Sequence, residues 1–241
     1  MKPKISFLIA TNRDPEQYVK SPINSINHFG SNYSYEICVL SETEVKGENV
    51  VWYKEEKKAG PIAGFNYLAS SSRGEYLCVM VDDHIFINQF DLTIDFLNNT
   101  YKNKEHQICS LWPGNECLNP CKGQKCGDKI IDFEVPRYPI CRFPALHRDA
   151  LVLQDNKIWN SSFYYHAADV WLGYFLGIQG RPSQQSPTRI APYNPAKNSD
   201  FEDEDLNSLR KLMERSTLVP HDQISYHFQI SNPTQGILKM S

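Results

Sequence analysis

The sequence has no long apolar run. The nearest candidate close to the start, residues 5–10, falls far short of the ~20 apolar residues that cross a bilayer. It also lacks the cationic flank and small-residue cleavage site of a secretory leader. The expectation is a cytoplasmic protein without a transmembrane segment, reaching lipid only by peripheral association at the inner face of a membrane. Charge of one sign is scarce as well: the 241 residues carry a formal net charge of −3. That is too mild for a nucleic-acid surface, so no nucleic-acid partner is expected. Seven cysteines form no tight Cys-x-x-Cys pair, and an odd count without a leader argues against a full disulfide framework. Cys38 and Cys78 read as small buried hydrophobes. Cys109, Cys117, Cys121, Cys126 and Cys141 read as unlinked thiols, with a zinc set as the alternative. The first strand-to-helix turn, Thr11-Asn12-Arg13-Asp14-Pro15, lacks the glycines that cradle a phosphate.

What is present is an ordinary globular chain, 41% hydrophobic, with no internal repeat. Residues 4–11 form a nearly continuous apolar strand of the kind buried on both faces of a parallel sheet. Asp14-Pro15-Glu16-Gln17 supplies an N-cap, a first-turn proline and a capping-box glutamine for a helix reaching about residue 28. Further strands are predicted over 35–40, 50–53 and 75–81, with a helix over 60–72 between the last two. The alternation implies a mostly parallel central sheet with right-handed crossovers. Helices are expected over 88–101, from about 166 to 176, and over 202–215, the first with Phe90, Ile94 and Leu97 on one face. Residues 113–139 read as a long loop, and 179–201 as a polar, proline-rich run.

The fourth strand runs directly into Asp82-Asp83-His84. Ligands of open α/β sheets bind outside the carboxyl ends of the strands. Two adjacent carboxylates there repel each other unless a cation sits between them and an anionic ligand. Mg²⁺ and Mn²⁺ commonly use one or two carboxylates together with substrate phosphates. The competing reading is a solvated turn after a strand.

Other segments fall in a recognisable order around that triplet. Thr11-Asn12-Arg13 is a polar turn after the first strand, and Leu40-Ser41-Glu42-Thr43 an acidic turn after the second. Lys58-Ala59-Gly60, then Phe65-Asn66, open the next helix, and Arg73-Gly74-Glu75-Tyr76-Leu77 precedes the triplet. Ala145-Leu146-His147-Arg148-Asp149-Ala150-Leu151 and Ala168-Asp169-Val170-Trp171-Leu172-Gly173 follow. In this order the chain resembles the GT-A glycosyltransferases, and within them the inverting family 2. The resemblance covers residues 1–90 well and 140–180 fairly.

It implies an α/β, Rossmann-like nucleotide-diphospho-sugar transferase domain, mostly parallel in its sheet. Residues 1–90 would form the nucleotide-sugar half, 91–180 the acceptor half with its Cys-rich loop, and 181–241 a C-terminal extension. It further implies transfer of a sugar, with inversion, from a nucleotide-sugar donor, UDP-linked by expectation. The acceptor would be a hydroxyl of a glycan or lipid-linked glycan, in polysaccharide biosynthesis. Thr11, Arg13, Glu42, Lys58 and Asp82 would bind the donor. Asp83 and His84 would hold a divalent cation, Mn²⁺ or Mg²⁺. Asp169 would be the catalytic base, and Ala145–Leu151 would belong to the acceptor region. Trp112, Trp159 and His166 are candidates for the acceptor side. The sequence departs from the family pattern at Ser41-Glu42 (usually Asp), Phe65 (usually Arg), His84 (usually Asp) and Ala168 (usually an acid). Two rival functions stay open: a non-catalytic nucleotide- or glycan-binding module, and a sugar nucleotidyltransferase. Asp169 itself has the alternative of a helix N-cap.

Overall fold

The computed structural model describes residues 2–29, 31–57, 59–101, 108–111, 141–164, 168–179 and 181–193, with short pieces at 125–126, 129–130, 205, 207–208, 211–212, 228–230 and 238–240. Strand β1 (Ile5–Ala10) leads through helices α1 (Pro15–Tyr18) and α2 (Lys20–Phe29) to β2 (Tyr35–Ser41) and β3 (Val50–Lys54). Helix α3 (Gly60–Ser71) then leads to β4 (Tyr76–Val79) and the short β5 (His84–Phe86). After α4 (Asp91–Tyr101) come β6 (Ile108–Ser110), a small hairpin of β7 (Lys125–Cys126) and β8 (Lys129–Ile130), and β9 (Pro144–His147). A 3₁₀ turn (Arg148–Gln154) precedes α5 (Ala168–Ile178), β10 (Gln184–Gln185) and β11 (Ile190–Pro192).

The central sheet has seven strands in the order β10-β6-β9-β4-β1-β2-β3. All its pairings are parallel except the two made by β9, which runs against β4 and β6. The expected mostly parallel α/β sheet is thus observed, and residues after the expected 113–139 loop supply the reversed strand. Side chains alternate across the sheet. Leu8, Cys38, Leu77 and Val79 pack with α3 and α5, whereas Phe7, Ile9, Ile37, Val39 and Cys78 pack with α2 and α4. Helix α5 is apolar on nearly every side and is buried accordingly. Phe65, which stands where an arginine was expected, is 5% exposed inside the α3 layer. Cys38, Cys78, Cys109 and Cys141 are buried. Cys117 and Cys121 lie outside the described residues, as do the Cys126 side chain and most of the 113–139 loop.

Asp14 caps α1 as expected, accepting from the Glu16 amide at 3.1 Å. The expected single helix is nevertheless divided at Val19. Pro22 has no N–H to donate to the Tyr18 carbonyl, so the chain turns once and restarts as α2. Strands β5 and β11 were absent from the sequence reading. They pair antiparallel, His84 with Pro192, and sit in segments read as a turn and a polar run. Of the expected 202–215 helix, residues 205, 207–208 and 211–212 are helical and the rest lies outside the described residues.

The segment Arg73-Gly74-Glu75 owes its form to packing at the amino edge of the sheet. Ser6 Oγ accepts from the Gly74 amide at 2.7 Å and donates to Glu36 at 2.8 Å. Glu36, 3% exposed, also receives the Arg73 amide at 2.6 Å and the Arg73 guanidinium at 2.9 and 3.1 Å. Burial pushes the Glu36 carboxyl up, but these donors outweigh it and hold the group below its ordinary value. Arg148 spans the same edge, donating to the carbonyls of Gly74, Ala69 and Ser72 at 2.7, 2.5 and 2.9 Å, and so closes the end of α3. An open recess of about 530 Å³ lies here between Lys2, Ser72, Arg73 and Arg148, but both arginines are already committed within the fold.

Two outcomes follow from this edge. A Cβ on Gly74 would lie 2.4 Å from Ser6 Oγ and 2.5 Å from the Ser6 amide nitrogen. Gly74→Ala is therefore expected to cost roughly 1–3 kcal/mol in urea unfolding, as overpacked sites do. Glu36 stabilises the fold above its unfolded pKa, and this contribution is lost as pH falls through its lower folded value. Glu36→Gln is expected to lower the urea midpoint at pH 7 and to flatten its decline between about pH 5 and pH 3. An unchanged acid limb would contradict this.

Candidate active site

The strand order reverses beside β1. From β1 the chain crosses by α2 to β2 and β3, then returns by α3 on the opposite face to β4 on the other side of β1. Such a reversal opens a crevice at the carboxyl ends of the two strands. Thr11 and Arg13 enter it from β1, and Asp82 and Asp83 from β4.

Asp82 is 6% exposed and fully engaged. Thr11 Oγ1 donates to its Oδ2 at 2.5 Å, Arg13 Nε donates to the same oxygen at 2.9 Å, and Arg13 Nη2 pairs with Oδ1. Burial pushes the Asp82 carboxyl up; the Thr11 hydroxyl and the Arg13 charge pull it back without cancelling the rise. Burial alone would lower the Arg13 guanidinium, but Asp82 and Asp83 more than restore it. Arg13 also lies over the Tyr18 ring, 4.5 Å from its centroid, so the Asp14-capped turn of α1 supports it from behind.

Asp83 turns the other way and keeps 18% of its side chain exposed. Its Oδ1 meets His84 Nδ1 at 2.6 Å, its Oδ2 lies 3.5 Å from Arg13, and its carbonyl accepts the Tyr193 amide at 2.8 Å. His84 is 8% exposed, begins β5, and packs its ring against Phe143 at 4.9 Å between centroids. Among the described residues no group of three or more His, Cys, Asp or Glu side chains is placed to cage a metal ion. Asp83 fits the open mode in which one carboxylate shares a hard cation with ligand phosphates. His84, expected as a direct ligand, has its Nδ1 against Asp83 Oδ1.

Asp169 stands in the first turn of α5. Its Oδ2 accepts from Arg142 Nε at 3.0 Å, its Oδ1 from the Val170 amide at 2.9 Å, and its carbonyl from the Cys141 amide at 3.2 Å. Arg142 and Phe143 precede β9. That strand runs opposite to β4, so its entering end lies at the same carboxyl edge as Asp82. Phe143 touches His84, and its neighbour Arg142 pairs with Asp169.

Glu42 is exposed just beyond the end of β2 at the carboxyl edge. Trp159 is 5% exposed in the core, leaving no open ring face for a sugar. Asn66 clamps it there: its amide oxygen accepts from Ile158 and Trp159 amides at 3.1 and 2.9 Å, and its nitrogen donates to the Trp159 carbonyl at 2.8 Å. The Ala145–Leu151 stretch, expected in the acceptor region, runs away from the crevice and carries Arg148 to the amino edge. Lys58, Trp112 and His166 lie outside the described residues. Residues missed in the sequence are Arg142, Phe143 and Tyr193, the last 55% exposed beside Asp83.

No family model matches the chain. An uncharacterized glycosyltransferase of Methanocaldococcus jannaschii is 27% identical over 124 residues, which is 46% of this chain and 42% of that protein. Solved structures share the architecture more widely. TarS of S. aureus in complex with UDP-GlcNAc superposes with a TM-score of 0.58 at 14% identity, covering 90% of this chain and 67% of that one. A longer TarS structure gives a TM-score of 0.54 at 13% identity, over 90% of this chain and 40% of that one. Mannosyltransferase PcManGT of Pyrobaculum calidifontis, in complex with GDP-Man and Mn²⁺, gives 0.50 at 10% identity over 78% and 55%. The fold is of the GT-A type. The chain spans less than half the length of the curated relative and of the longer TarS structure. Among the described residues no helix is long and apolar enough to cross a membrane.

The Arg13–Asp82 pair yields a test that needs no substrate. A folded-state carboxyl held high favours the fold below its unfolded pKa and loses that advantage as pH rises through the folded value. Arg13→Met removes the compensating charge and deepens this loss. Its melting temperature should fall clearly below wild type at pH 7, by the equivalent of about 1–3 kcal/mol, and approach wild type near pH 4. An equal deficit at both pH values would mean that Asp82 is not the group left exposed to the change.

Proposed function

We propose that this protein is a nucleotide-sugar-dependent glycosyltransferase that uses Asp169 as its base. The observation that carries the reading is the pairing at the sheet reversal. One carboxylate, Asp82, is drawn inward and fixed by Thr11 and Arg13, and its neighbour Asp83 is left facing the edge. An inward acid with fixed donors around it suits the nucleoside part of a donor. An outward acid suits a diphosphate shared with a cation. The UDP-GlcNAc and GDP-Man complexes of proteins with this architecture agree in donor class. We take UDP as the carrier, with GDP as the alternative to be tested beside it.

In this reading Thr11, Arg13, Asp82 and Glu42 line the nucleotide side, with Lys58 near the opening of α3. Asp83 would hold Mn²⁺ or Mg²⁺, with His84 fixing its orientation. A divalent cation bound there supplies neutralisation of the charge that grows on a leaving diphosphate. Asp169 takes the proton from an acceptor hydroxyl as that oxygen attacks the anomeric carbon from the face opposite the leaving group, so the product is inverted. Such assistance contributes roughly 10²–10⁴-fold. The acceptor class we propose is a glycan or lipid-linked glycan in polysaccharide assembly, reached at the cytoplasmic face of a membrane.

Two measurements test this. Thermal melts with UDP, GDP, UDP-GlcNAc and GDP-Man, with and without Mn²⁺, should show one nucleoside diphosphate stabilising the protein. At a hundredfold excess over Kd, about 2.7 kcal/mol of stabilisation corresponds to a rise of about 5–10 °C for a chain of this size. Asp83→Asn should remove the Mn²⁺-dependent part of that rise. Asp169→Asn should keep the rise and lose about 10²–10⁴-fold in kcat. Absence of a shift with every nucleotide would refute the donor reading. Full turnover by Asp169→Asn would refute the base. A nucleotide shift without any turnover in the native protein would favour a binding module, a reading that the apolar Ala168 and the ion-paired Asp169 leave room for.

A further inference from the structure

We infer that Arg142 is the positioning residue for Asp169, and that the left-handed turn at Phe143 ties this pair to the Asp82-Asp83-His84 corner. The inference rests on Asp169 being the base, and extends that reading to a residue which no sequence motif or comparison singles out.

The Asp169 carboxylate has a donor on each oxygen. The Val170 amide, which holds Oδ1, belongs to its own helix and sets only a local rotamer. Arg142 Nε, which holds Oδ2 at 3.0 Å, comes from a different part of the chain and sets where the carboxylate stands relative to the sheet. Arg142 is itself placed by three links. Its carbonyl accepts from Ser110 Oγ at 2.8 Å, the next carbonyl, Phe143, accepts from the Leu111 amide at 3.2 Å, and the Cys141 amide on its other side donates to the Asp169 carbonyl at 3.2 Å.

The backbone at Phe143 has φ = +48°. Bulky residues rarely adopt this region, which favours glycine and asparagine. The turn sends two adjacent side chains to two destinations: Arg142 to Asp169, and the Phe143 ring to His84. The ion pair is not a buried one, since the Arg142 and Asp169 side chains keep 36% and 26% of their surface. Pairs this exposed contribute little to stability. A disfavoured backbone conformation spent on such a pair points to aim rather than to fold strength, and strained positions gather where geometry serves a site. The Phe143 contact also connects His84, and the Asp83 beside it, to the base by way of Phe143 and Arg142.

The test uses the full chain and the variants Arg142→Gln, Arg142→Lys, Asp169→Asn and the double variant Arg142→Gln/Asp169→Asn. Turnover is read as nucleoside diphosphate released from UDP-GlcNAc and GDP-Man with Mn²⁺. Arg142→Gln should lower kcat about tenfold to a hundredfold, with donor KM within about twofold and the nucleotide-induced melting shift unchanged. These values lie within the range for lost general-base assistance. Arg142→Lys should recover part of the loss, because it keeps the charge but not the planar fork. The double variant should be no slower than Asp169→Asn, since residues acting as a unit are not additive.

Wild-type kcat in Arg142→Gln, a loss seen in KM alone, or losses that multiply in the double variant would each overturn the inference. Wild-type kcat in Asp169→Asn would instead overturn the base reading on which it stands. A substrate-free arm decides the matter if turnover is too slow to measure. Labelling of Asp169 by a water-soluble carbodiimide and an amine, followed by peptide mass spectrometry, should be several-fold faster in Arg142→Gln than in wild type and intermediate in Arg142→Lys. Equal labelling rates in all three would show that Arg142 does not hold the carboxylate.

Discussion

Asp82 is a carboxylate taken almost out of water, and a charge in that position is tolerated only with partners on both oxygens. Its partners, Thr11 and Arg13, come from the end of a strand 71 and 69 residues earlier. They can reach it only because the chain, after building β2 and β3 on one side of β1, returns to lay β4 on the other. The close approach of Gly74 to Ser6 at the opposite edge is a condition of the same pairing, since β1 and β4 must lie in register from end to end. Asp83, next in the chain, keeps more of its surface, 18% of the side chain against 8% for Asp82. Arg13 and His84 hold it facing the edge. The division of two adjacent acids into an interior one and an edge one is therefore a consequence of topology, more than of either residue alone.

The sequence made the sheet legible where the physics is local. Residues 5–10, 35–41 and 76–79 are mostly apolar runs, broken only by Ser6, Glu36 and Ser41, and they became β1, β2 and β4. Asp14 and Pro15 announced a helix start and made one, although Pro22, seven residues after Pro15, broke the helix that followed. The short pairing of β5 with β11 joins two three-residue strands more than a hundred positions apart, and no window of sequence contains that information. Phe143 could not be foreseen, because a left-handed residue that is neither glycine nor asparagine carries no mark of its conformation.

Matched motifs proved informative about place and poor about task. Thr11, Arg13, Asp82 and Asp83 come from separate motifs, and their side chains contact one another. Asn66, Arg73, Gly74 and Arg148 belonged to equally good matches, yet each is occupied in holding segments together. A motif records that a residue type is required at a position. It does not record whether the requirement is packing, capping or chemistry, and only the partners of each side chain separate these. His84 and Phe65 show the same point from the other side. Each replaces a polar group the family pattern leads one to expect, and each is accommodated by its neighbours, His84 against Asp83 and Phe143, and Phe65 inside the α3 layer.

Strand β9 is the element that joins the two edges of the molecule. Its entering end delivers Arg142 and Phe143 to the crevice, and its leaving end delivers Arg148 to the terminus of α3. Side chains alternate with a period of two, so a slip of two residues would keep every inward face inward. It would still displace both ends by about 6.8 Å, at about 3.4 Å per residue. Arg142 would part from Asp169 in the same event that parts Arg148 from Ala69 and Ser72. The alignment of the crevice is thus proofread at the far edge of the sheet. A misregistered chain betrays itself by an uncapped helix and a half-buried guanidinium without its carbonyls, far from any substrate, before it could hold its base in the wrong place.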